Sequence, residues 1–424
     1  MRVLLVGSGG REHALAWKIS QSPLLEKLYC LPGNAGTAEV AENVSLPQNN
    51  ESIVKFSLEN KIDLVVVGSE QPLVNGLVDE LERNGIKAFG PYSDATQLEG
   101  SKEFTRNIAK KSGVLQPEFH VFTDSKKAIK FIEKENKAFV VKADGLAAGK
   151  GVIVAKDKQE TISAVKSMLE EKAFGSSGEK ILLEEKLVGI EVSFLALVDS
   201  LNILPLETAQ DFKRAFDDDK GPNTGGMGSF SPNNYIDKEM KTKILEKIMK
   251  PVVKTMAEMG CPFKGLLYAG LMISNNIPYL IEFNVRFGDP ETQAILPRME
   301  SDLLPLLVAS AQGNLAGKTI SWSNKKSCSV VLASKGYPNA YEKGFPITGL
   351  ENFKNSKETI IFHAGTKIAG GRIVTDGGRV LNVTSLGNSL KDAREKAYSA
   401  IEKISFKNES FRKDIALKAA KGPD

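Results

Sequence analysis

The segment FVVKADGLAAGKGVIVA, residues 139–155, places a glycine-rich stretch between two runs of apolar and β-branched residues. The flanking runs Phe139–Lys142 and Val152–Ala155 predict two strands, and Asp144–Gly151 predicts their connection. Because no helical pattern follows the glycines directly, the segment predicts a β-hairpin with a long tip and not the strand-to-helix turn of a phosphate loop. Lys142 ends the first strand, where a lysine can neutralise nucleotide phosphates while N–H groups of the tip cover them. Taken alone, Lys142 is a weak signal, because an exposed strand lysine is the more common case.

The residues before this hairpin are organised differently, with short apolar runs alternating with amphipathic helical patterns. Strands are predicted at Val3–Val6, Lys27–Leu31, Asp63–Gly68 and Ile86–Phe89, and a helix follows the first of them. This alternation is typical of a parallel α/β sheet, whose ligands bind at the carboxyl ends of the strands. The first hundred residues therefore predict an N-terminal parallel α/β domain.

The loop Gly7-Ser8-Gly9-Gly10 joins the first strand to its helix, so its N–H groups and the helix N-terminus suit an anion. A dinucleotide fingerprint requires a small residue where this chain has Glu12, and an acidic residue where the second strand ends at Pro32-Gly33-Asn34. NAD binding is therefore disfavoured. A phosphate on a smaller ligand fits better, with Asn34-Ala35-Gly36-Thr37 supplying further donors. The alternative is a turn that only packs the helix against the strand.

Strand patterns continue through the middle of the chain. They occur at Lys180–Glu184, Val192–Val198, Leu266–Ile273 and Pro278–Phe283, with a helix over Lys158–Glu171. The segment Glu184–Glu191 joins two of these strands. An exposed backbone edge followed by a carboxylate suits an adenine and then a ribose hydroxyl, although the segment alone is typical of a charged hairpin turn. The glycine-rich stretch Gly221–Gly228 predicts a loop.

Glu282 and Asn284 alternate along an apolar strand, so their side chains are expected on the same face of the sheet. Two neighbouring hard oxygen ligands suit a Mg²⁺ ion that also holds substrate phosphates. The segment Arg286–Gln293 follows directly and is dense in charged and turn residues. A solvated loop is the alternative, but the adjoining hydrophobic strand places these charges at the mouth of a site.

From about Ser321 the chain becomes rich in strands and glycines. Strands are predicted at Val330–Ala333, Thr359–His363, Arg372–Thr375 and Arg379–Val383, and a helix over Leu390–Ile404. This pattern predicts a small C-terminal α+β domain. We therefore divide the chain into residues 1–100, 101–320 and 321–424. Within the middle part, residues 120–190 form the subdomain that carries the glycine-rich hairpin.

Composition limits the classes of function. The 424 residues are 42% hydrophobic and 25% charged, and 56 basic against 52 acidic residues give a net charge of +4. A packed core is expected, and the near-neutral balance gives no reason to invoke nucleic acid or a membrane surface. Cys30, Cys261 and Cys328 are far apart, which favours reduced thiols in a cytoplasmic protein over a disulfide framework. No apolar run reaches the roughly 18 residues that a spanning helix needs.

Six motifs, in this order along the chain, resemble the ATP-grasp superfamily and within it the phosphoribosylamine–glycine ligase family. The resemblance covers essentially the whole chain, and Arg286–Gln293, which is similar to the family signature, is its most specific part. The other motifs are Gly7–Ala14, Pro32–Thr37, Leu98–Lys102, Lys142–Gly151 and Gly221–Gly228. The implied fold is a multidomain α/β and α+β protein, with an ATP-grasp fold between the N-terminal and C-terminal domains.

The resemblance implies that the chain joins glycine to 5-phospho-β-D-ribosylamine in de novo purine biosynthesis. ATP is consumed, and glycinamide ribonucleotide, ADP and phosphate form through a glycyl phosphate. ATP and Mg²⁺ or Mn²⁺ are the implied cofactors. Phosphoryl transfer relies on positioning and charge neutralisation, which suits a site of Lys, Arg, backbone N–H groups and a metal ion. The implied partners are these small molecules and, transiently, the preceding pathway enzyme; we expect a monomer.

The resemblance also gives roles to individual residues. ATP is expected to contact Lys102, Lys142, Gly145, Gly149, Lys150, Glu184, Glu185, Leu187 and Glu191, with Glu191 holding the ribose. The metal is expected on Glu282 and Asn284, and the catalytic candidates are Arg286, Lys213, Asp211 and Asp289. The substrates are expected near Gly9, Gly10, Asn34, Thr37, Glu70, Asn223, Thr224, Gly225 and Gly226. The tip of the hairpin is expected to close over the phosphates and exclude water.

Two features depart from the family pattern. The third strand continues as Gly68-Ser69-Glu70 where the family usually has Gly-Pro-Glu, which affects the local turn but keeps Glu70. The strand Leu266–Ile273 has no acidic residue, although the wider superfamily often places a further metal ligand there. The alternatives are another ATP-grasp ligase or carboxylase acting on a different purine intermediate, a nucleotide-binding module without catalysis and, more distantly, an NAD-dependent dehydrogenase. The Glu282/Asn284 pair argues against the second of these.

Overall fold

The structure, a computed structural model, describes residues 1–147 and 151–422. The N-terminal part alternates strands and helices as predicted. Its elements are β1 (Arg2–Gly7), α1 (Gly10–Ile19), β2 (Lys27–Pro32), β3 (Glu42–Asn43), α2 (Asn50–Glu59), β4 (Leu64–Val67), α3 (Glu70–Val74), α4 (Leu77–Arg83) and β5 (Ala88–Phe89). The strands pair in parallel in the order β3-β2-β1-β4-β5. Leu4 and Val65 belong to one apolar core and Leu5 and Val66 to another, so both faces of the sheet are buried.

The predicted hairpin is confirmed as part of a small antiparallel sheet. The elements of this region are α5 (Gln97–Gly100), α6 (Lys102–Lys111), β6 (Phe119–Phe122), α7 (Ser125–Glu135), β7 (Val140–Ala143), β8 (Val152–Val154), α8 (Lys158–Leu169) and β9 (Ile181–Glu184). The strand order is β6-β9-β7-β8, and β7 pairs with β8 from Val140↔Val154 to Lys142↔Val152. Helices α7 and α8 contribute Ile132 and Val165 to the core behind this sheet.

A second antiparallel sheet faces the first. The next elements are β10 (Ile190–Asp199), β11 (Ile203–Pro205), β12 (Gln210–Asp211), β13 (Arg214–Phe216), β14 (Lys220–Asn223), β15 (Gly228–Ser231), α9 (Lys238–Ile244), α10 (Lys250–Glu258), β16 (Lys264–Ser274), β17 (Ile277–Asn284), α11 (Glu291–Ile295) and α12 (Leu304–Gln312). The order within this sheet is β11-β10-β16-β17. A bulge shifts the β16–β17 register between Gly270 and Leu271, just where Glu282 pairs with Gly270.

The prediction that Gly221–Gly228 is a loop is wrong at both ends. Residues Gly221–Asn223 belong to β14, which pairs with β13 in a two-stranded ribbon, and Gly228 begins β15. The ribbon tolerates Pro222, which has no backbone N–H, because β14 pairs with β13 alone and needs no hydrogen bonds to a second strand. Its turn is built from Asp218 and Asp219, both at positive φ, so the acidic run makes the turn and the glycines extend the strand.

The C-terminal part forms a sheet with one helix packed on it. Its elements are β18 (Lys326–Ser334), β19 (Thr359–His363), β20 (Thr366–Ala369), β21 (Arg372–Thr375), β22 (Arg379–Gly387), α13 (Leu390–Ile401) and β23 (Glu409–Ser410). The order is β12-β15-β18-β22-β19, so β12 and β15 from the middle of the chain complete this sheet. Within the described ranges, no helix combines the length and apolar composition that crossing a bilayer requires.

Candidate active site

A cleft of about 1030 Å³ lies between the two antiparallel sheets, and side chains of the C-terminal part also line it. Residues from all three parts of the chain line it, including Glu70 from the start of α3, Lys142 and Glu282 from the two antiparallel sheets, and Arg379 from β22. The cleft therefore collects side chains that are far apart in the sequence.

One wall of the cleft holds a buried lysine. The Lys142 ammonium lies 2.8 Å from Glu184 Oε2 and donates to the Ile281 carbonyl at 3.1 Å. Burial lowers the pKa of Lys142, and the Glu184 carboxylate opposes that effect. Lys102 begins α6 and lines the same cleft. These two lysines place positive charges on the wall, which suits an anionic ligand.

Glu282 and Asn284 both line the cleft, as their alternation along β17 predicts. Glu282 Oε1 accepts from Lys213 Nζ at 3.1 Å, and the same ammonium lies 3.6 Å from Glu191. Although burial opposes ionisation, the Lys213 and Lys142 charges lower the pKa of Glu282 to about 2. Within the described residues no cluster of three or more His, Cys, Asp or Glu forms a complete metal cage. An ionised carboxylate beside an amide oxygen nevertheless fits Mg²⁺, which takes its other ligands from phosphates and water.

Arg286 is held between two carboxylates. Its Nη2 lies 2.9 Å from Glu99 Oε1, and its Nε lies 3.3 Å from Glu70 Oε2. Burial alone lowers an arginine pKa, but Glu99 and Glu70 hold the pKa of Arg286 above its usual value. Burial raises the pKa of Glu99, while Arg286 and Arg11 outweigh burial and lower the pKa of Glu70 to about 2. The guanidinium is thus a fixed, permanent positive charge at the cleft wall.

Asp211 lies in a crowded acidic corner. Its pKa is raised well above the usual range by burial and by the neighbouring Glu291 carboxylate. Asp211 Oδ1 is buried and has no hydrogen-bond partner among the described residues. Glu291 accepts from the Ser193 hydroxyl at 2.9 Å, and Tyr268 lies 3.0 Å beyond that hydroxyl.

The loop after β14 is tied down from several sides. Asn223 donates to the Val152 carbonyl at 3.1 Å and so connects the loop to the hairpin. Thr224 Oγ1 donates to the Lys213 carbonyl at 2.9 Å, and the Gly225 N–H donates to Tyr337 Oη at 3.0 Å. Gly226 has φ of +107° and a Cβ there would lie 2.6 Å from Asp211 Oδ1, so the position requires glycine.

Arg379 joins this loop to Asp289. Its Nη1 donates to the Gly225 carbonyl at 2.5 Å and its Nη2 lies 3.0 Å from Asp289 Oδ2. Asp289 also accepts from Gln293 Nε2 at 2.7 Å. Burial lowers the pKa of Arg379, but the Asp289 carboxylate outweighs it and raises the pKa overall.

The segment predicted to read a nucleoside lies at the open edge of the cleft. Glu185, Leu187 and Glu191 line it after β9, and the Glu185 N–H donates to the Glu118 carbonyl at 2.9 Å. Gly145 lines the cleft near the start of the hairpin tip. Gly149 and Lys150 lie outside the described residues, so closure of the tip stays a prediction.

The predicted phosphate donors of the N-terminal loops do not line the cleft. The Gly9 N–H donates to Glu12 Oε2 at 2.6 Å. Asn34 Oδ1 accepts from Gly36 and Thr37 N–H groups at 2.8 and 2.9 Å, so the loop's donors hold the loop itself. Gly10 packs against buried side chains, because a Cβ there would lie 2.5 Å from Asn382 Oδ1. The assignment of Gly9, Gly10, Asn34 and Thr37 to substrate binding stays a prediction.

Sequence reasoning did not assign several residues that shape the cleft. Glu99 and Glu291 lie inside the motifs Leu98–Lys102 and Arg286–Gln293, so their position in those motifs was the available signal. Arg379 and Tyr337 lie outside every motif. Only the fold brings them to the loop Asn223–Gly226, since their partners are more than a hundred residues away.

Comparison with known proteins agrees with this architecture. Profiles of phosphoribosylglycinamide synthetase match the chain with its N domain over residues 1–99, its ATP-grasp (A) domain over residues 100–292 and its C domain over residues 327–418. The fold and its central cleft are therefore those of an ATP-grasp enzyme.

Relatives that align over nearly the whole chain identify the family within the ATP-grasp enzymes. The crystal structure of phosphoribosylamine–glycine ligase from Thermotoga maritima aligns with a TM-score of 0.86 and 34% identity, covering 98% of this chain and 100% of that one. Curated phosphoribosylamine–glycine ligases from Caldanaerobacter subterraneus subsp. tengcongensis and Rhizobium meliloti are 48% and 50% identical, over 98% and 99% of this chain and 99% of each relative. The chain belongs to the phosphoribosylamine–glycine ligase family.

Proposed function

We propose that this chain ligates glycine to 5-phospho-β-D-ribosylamine at the expense of ATP, giving glycinamide ribonucleotide, ADP and phosphate in de novo purine biosynthesis. The observation that carries the proposal is the convergence of Lys142, Glu282 and Arg286 on one cleft in a chain of this family. The side chains supply charges of the signs that ATP, a divalent cation and a carboxylate require.

The first step transfers the γ-phosphoryl group. An oxygen of the glycine carboxylate attacks the γ-phosphorus, the bond to the β-phosphate oxygen breaks, and ADP leaves with that electron pair. Lys102 and Lys142 hold the phosphates, while Arg286 neutralises the transferring group or the glycine carboxylate. The backbone of Glu185–Leu187 holds adenine beside Glu184, and Glu191 holds the ribose. Gly145, Gly149 and Lys150 cover the phosphates.

The second step forms the amide bond. The ribosylamine nitrogen attacks the acyl carbon of glycyl phosphate, phosphate leaves with the bonding electrons, and the nitrogen loses a proton. Asp211, Lys213 and Asp289 surround the reacting groups, and the loop Asn223–Gly226 shapes the pocket for glycine and the amine. Gly9, Gly10, Asn34, Thr37 and Glu70 serve the sugar phosphate. Excluding water protects the acyl phosphate from hydrolysis.

Glu282 and Asn284 would hold the divalent cation, and we propose Mg²⁺, with Mn²⁺ as a substitute. Bound there, the ion would offset phosphate charge. The position of both side chains on the wall of the cleft supports this assignment.

We further propose domain boundaries after residues 100 and 320, which the profile limits at residues 99, 100 and 327 support. The three buried free thiols support a reducing, cytoplasmic setting. We propose a monomer that meets the preceding pathway enzyme transiently.

A coupled assay of ADP release tests the function. Sustained release of ADP should require both glycine and phosphoribosylamine. A reaction without the amine is the control. Release that requires a different carboxylate would favour another ATP-grasp ligase. ATP binding without ADP release for any acceptor would favour a non-catalytic nucleotide-binding protein.

A further inference from the structure

Arg106 lies behind the cleft wall that carries Lys142. It is on α6, four residues after Lys102, and its side chain is 1% exposed. Arg106 is among the largest fully buried side chains of the described residues. A buried guanidinium is costly unless its donors are satisfied and its charge is compensated. Its contacts therefore indicate what the charge is for.

The guanidinium contacts two strands that line the cleft, β9 and β17. Nε and Nη2 donate to Glu184 Oε1 and Oε2 at 2.7 and 2.8 Å, which is the bidentate geometry of a strong arginine–carboxylate pair. Nη1 donates to the Leu280 carbonyl at 2.9 Å and Nη2 to the Ile281 carbonyl at 2.6 Å. These carbonyls directly precede Glu282 at the bulge of β17.

The same carboxylate also faces Lys142. Glu184 Oε2 lies 2.8 Å from Lys142 Nζ, so one carboxylate is shared by two cations. Burial opposes ionisation of Glu184, but the Lys142 and Arg106 charges lower its pKa overall. Lys142, Glu184 and Arg106 together carry one net positive charge. Lys142 and Glu184 line the cleft and Arg106 does not, so Lys142 is the cation of the three residues that a ligand in the cleft can contact.

We propose that Arg106 is a positioning residue that satisfies Glu184 and thereby leaves the Lys142 ammonium free to bind the phosphates of ATP. Without Arg106, Lys142 and Glu184 would form a neutral pair, and phosphate would have to compete with the carboxylate for the ammonium. The inference rests on the proposed function, since it assumes that ATP occupies this cleft.

An arginine suits this position better than a lysine. Its planar group satisfies both carboxylate oxygens and two carbonyls at once, whereas an ammonium has three donors and no bidentate fork. The arrangement predicts an effect on phosphate binding that simple loss of packing would not reproduce.

The test compares Arg106→Met, the double variant Arg106→Met/Glu184→Gln and the exposed control Arg83→Met. Affinities for MgATP and for adenosine are measured by calorimetry on the full chain, after circular dichroism has checked folding. In Arg106→Met the MgATP dissociation constant should rise about ten- to hundredfold, the size of one lost charge-assisted hydrogen bond. Adenosine affinity should change far less. The double variant lacks the competing carboxylate and should recover the ratio of MgATP to adenosine affinity.

Equal losses for MgATP and adenosine, with no recovery in the double variant, would reduce Arg106 to a packing role and overturn the inference. If Arg106→Met does not fold, Arg106→Gln decides, because it removes the charge and keeps a polar side chain. A selective loss of MgATP affinity would support the inference, and an unchanged ratio of MgATP to adenosine affinity would overturn it. Binding is measured without glycine or amine. Failure of the wild-type chain to bind MgATP would therefore count against the proposed function, whereas normal wild-type binding with an unaltered Arg106→Met variant would count against this inference alone.

Discussion

Replacing Glu282 with glutamine tests the charge balance at the proposed metal site, because the change keeps the shape of the side chain and removes its charge. Glu282 has a carboxyl pKa of about 2 instead of 4.5. A displacement of that size corresponds to about 3 kcal/mol in favour of the ionised form. The side chain is 22% exposed, so solvent screens part of this interaction. We therefore expect Glu282→Gln to lower the free energy of unfolding at neutral pH by about 2 kcal/mol.

The pH dependence has a definite sign. The pKa of Glu282 is lower in the folded chain than in the unfolded chain. Its contribution is therefore complete above about pH 4.5 and is lost as the pH falls towards 2. Urea unfolding at several pH values should show this component in the wild type and not in Glu282→Gln. The exposed helix variant Glu133→Gln is the matched control.

Metal dependence provides the second readout for Glu282→Gln. The Mg²⁺ concentration for half-maximal ADP release should rise at least about tenfold, as is usual when a metal site loses a supporting group. An unchanged Mg²⁺ requirement would remove Glu282 from the metal site. Unchanged acid unfolding would refute the account of its ion pair with Lys213.

Lys142, Arg379 and His363 give three further tests. Lys142→Ala should raise the KM for ATP about tenfold or more, because a charged contact to phosphate is lost. The exposed variant Lys127→Ala is the control and should not change this KM. If Lys142→Ala has the same KM as the wild type, Lys142 is only a strand lysine. Arg379→Ala should raise the KM for glycine or the amine more than that for ATP, because its partners are Gly225 and Asp289; a selective effect on ATP would contradict this. Burial lowers the pKa of His363 from 6.5 to about 4. The free energy of unfolding should therefore fall by up to about 3 kcal/mol as the pH drops from 6.5 to 4. Urea unfolding of His363→Asn should lack this pH-dependent decrease. An equally steep pH dependence in that variant would show that another group is responsible.

The features that were predictable from sequence depend on neighbouring residues. The hairpin around Lys142 follows from two apolar runs and the glycines between them, and the shared face of Glu282 and Asn284 follows from the period of a strand. The parallel N-terminal sheet follows from regular alternation of strands and helices. The ribbon at Gly221–Asn223 was missed because glycine and proline lower strand propensity, whereas the partner strand β13 and the turn at Asp218 decide the structure.

The features that were not predictable depend on long-range contacts. Arg379 reaches Asp289 and the Gly225 carbonyl only because β22 lies in a sheet completed by β12 and β15. Arg106 and Glu184 meet because α6 packs behind the wall formed by β9 and β17, and neither residue type indicates its partner. A single sequence shows which charged residues are present. Their pairing depends on the packing of elements that are tens to hundreds of residues apart.

Glu12 shows how a residue that excludes one function can have its own structural role. It argues against a dinucleotide because a fingerprint requires a small residue there, and the structure gives the physical reason. The Glu12 carboxylate accepts from the Gly9 N–H at 2.6 Å and pairs with Arg11 Nε at 2.6 Å. Side chains at Gly7 or Gly68 would collide with it, since a Cβ there would lie 2.5 Å from Glu12 atoms. The Glu12 carboxylate thus satisfies one N–H of the loop, and Gly7 and Gly68 make room for that carboxylate.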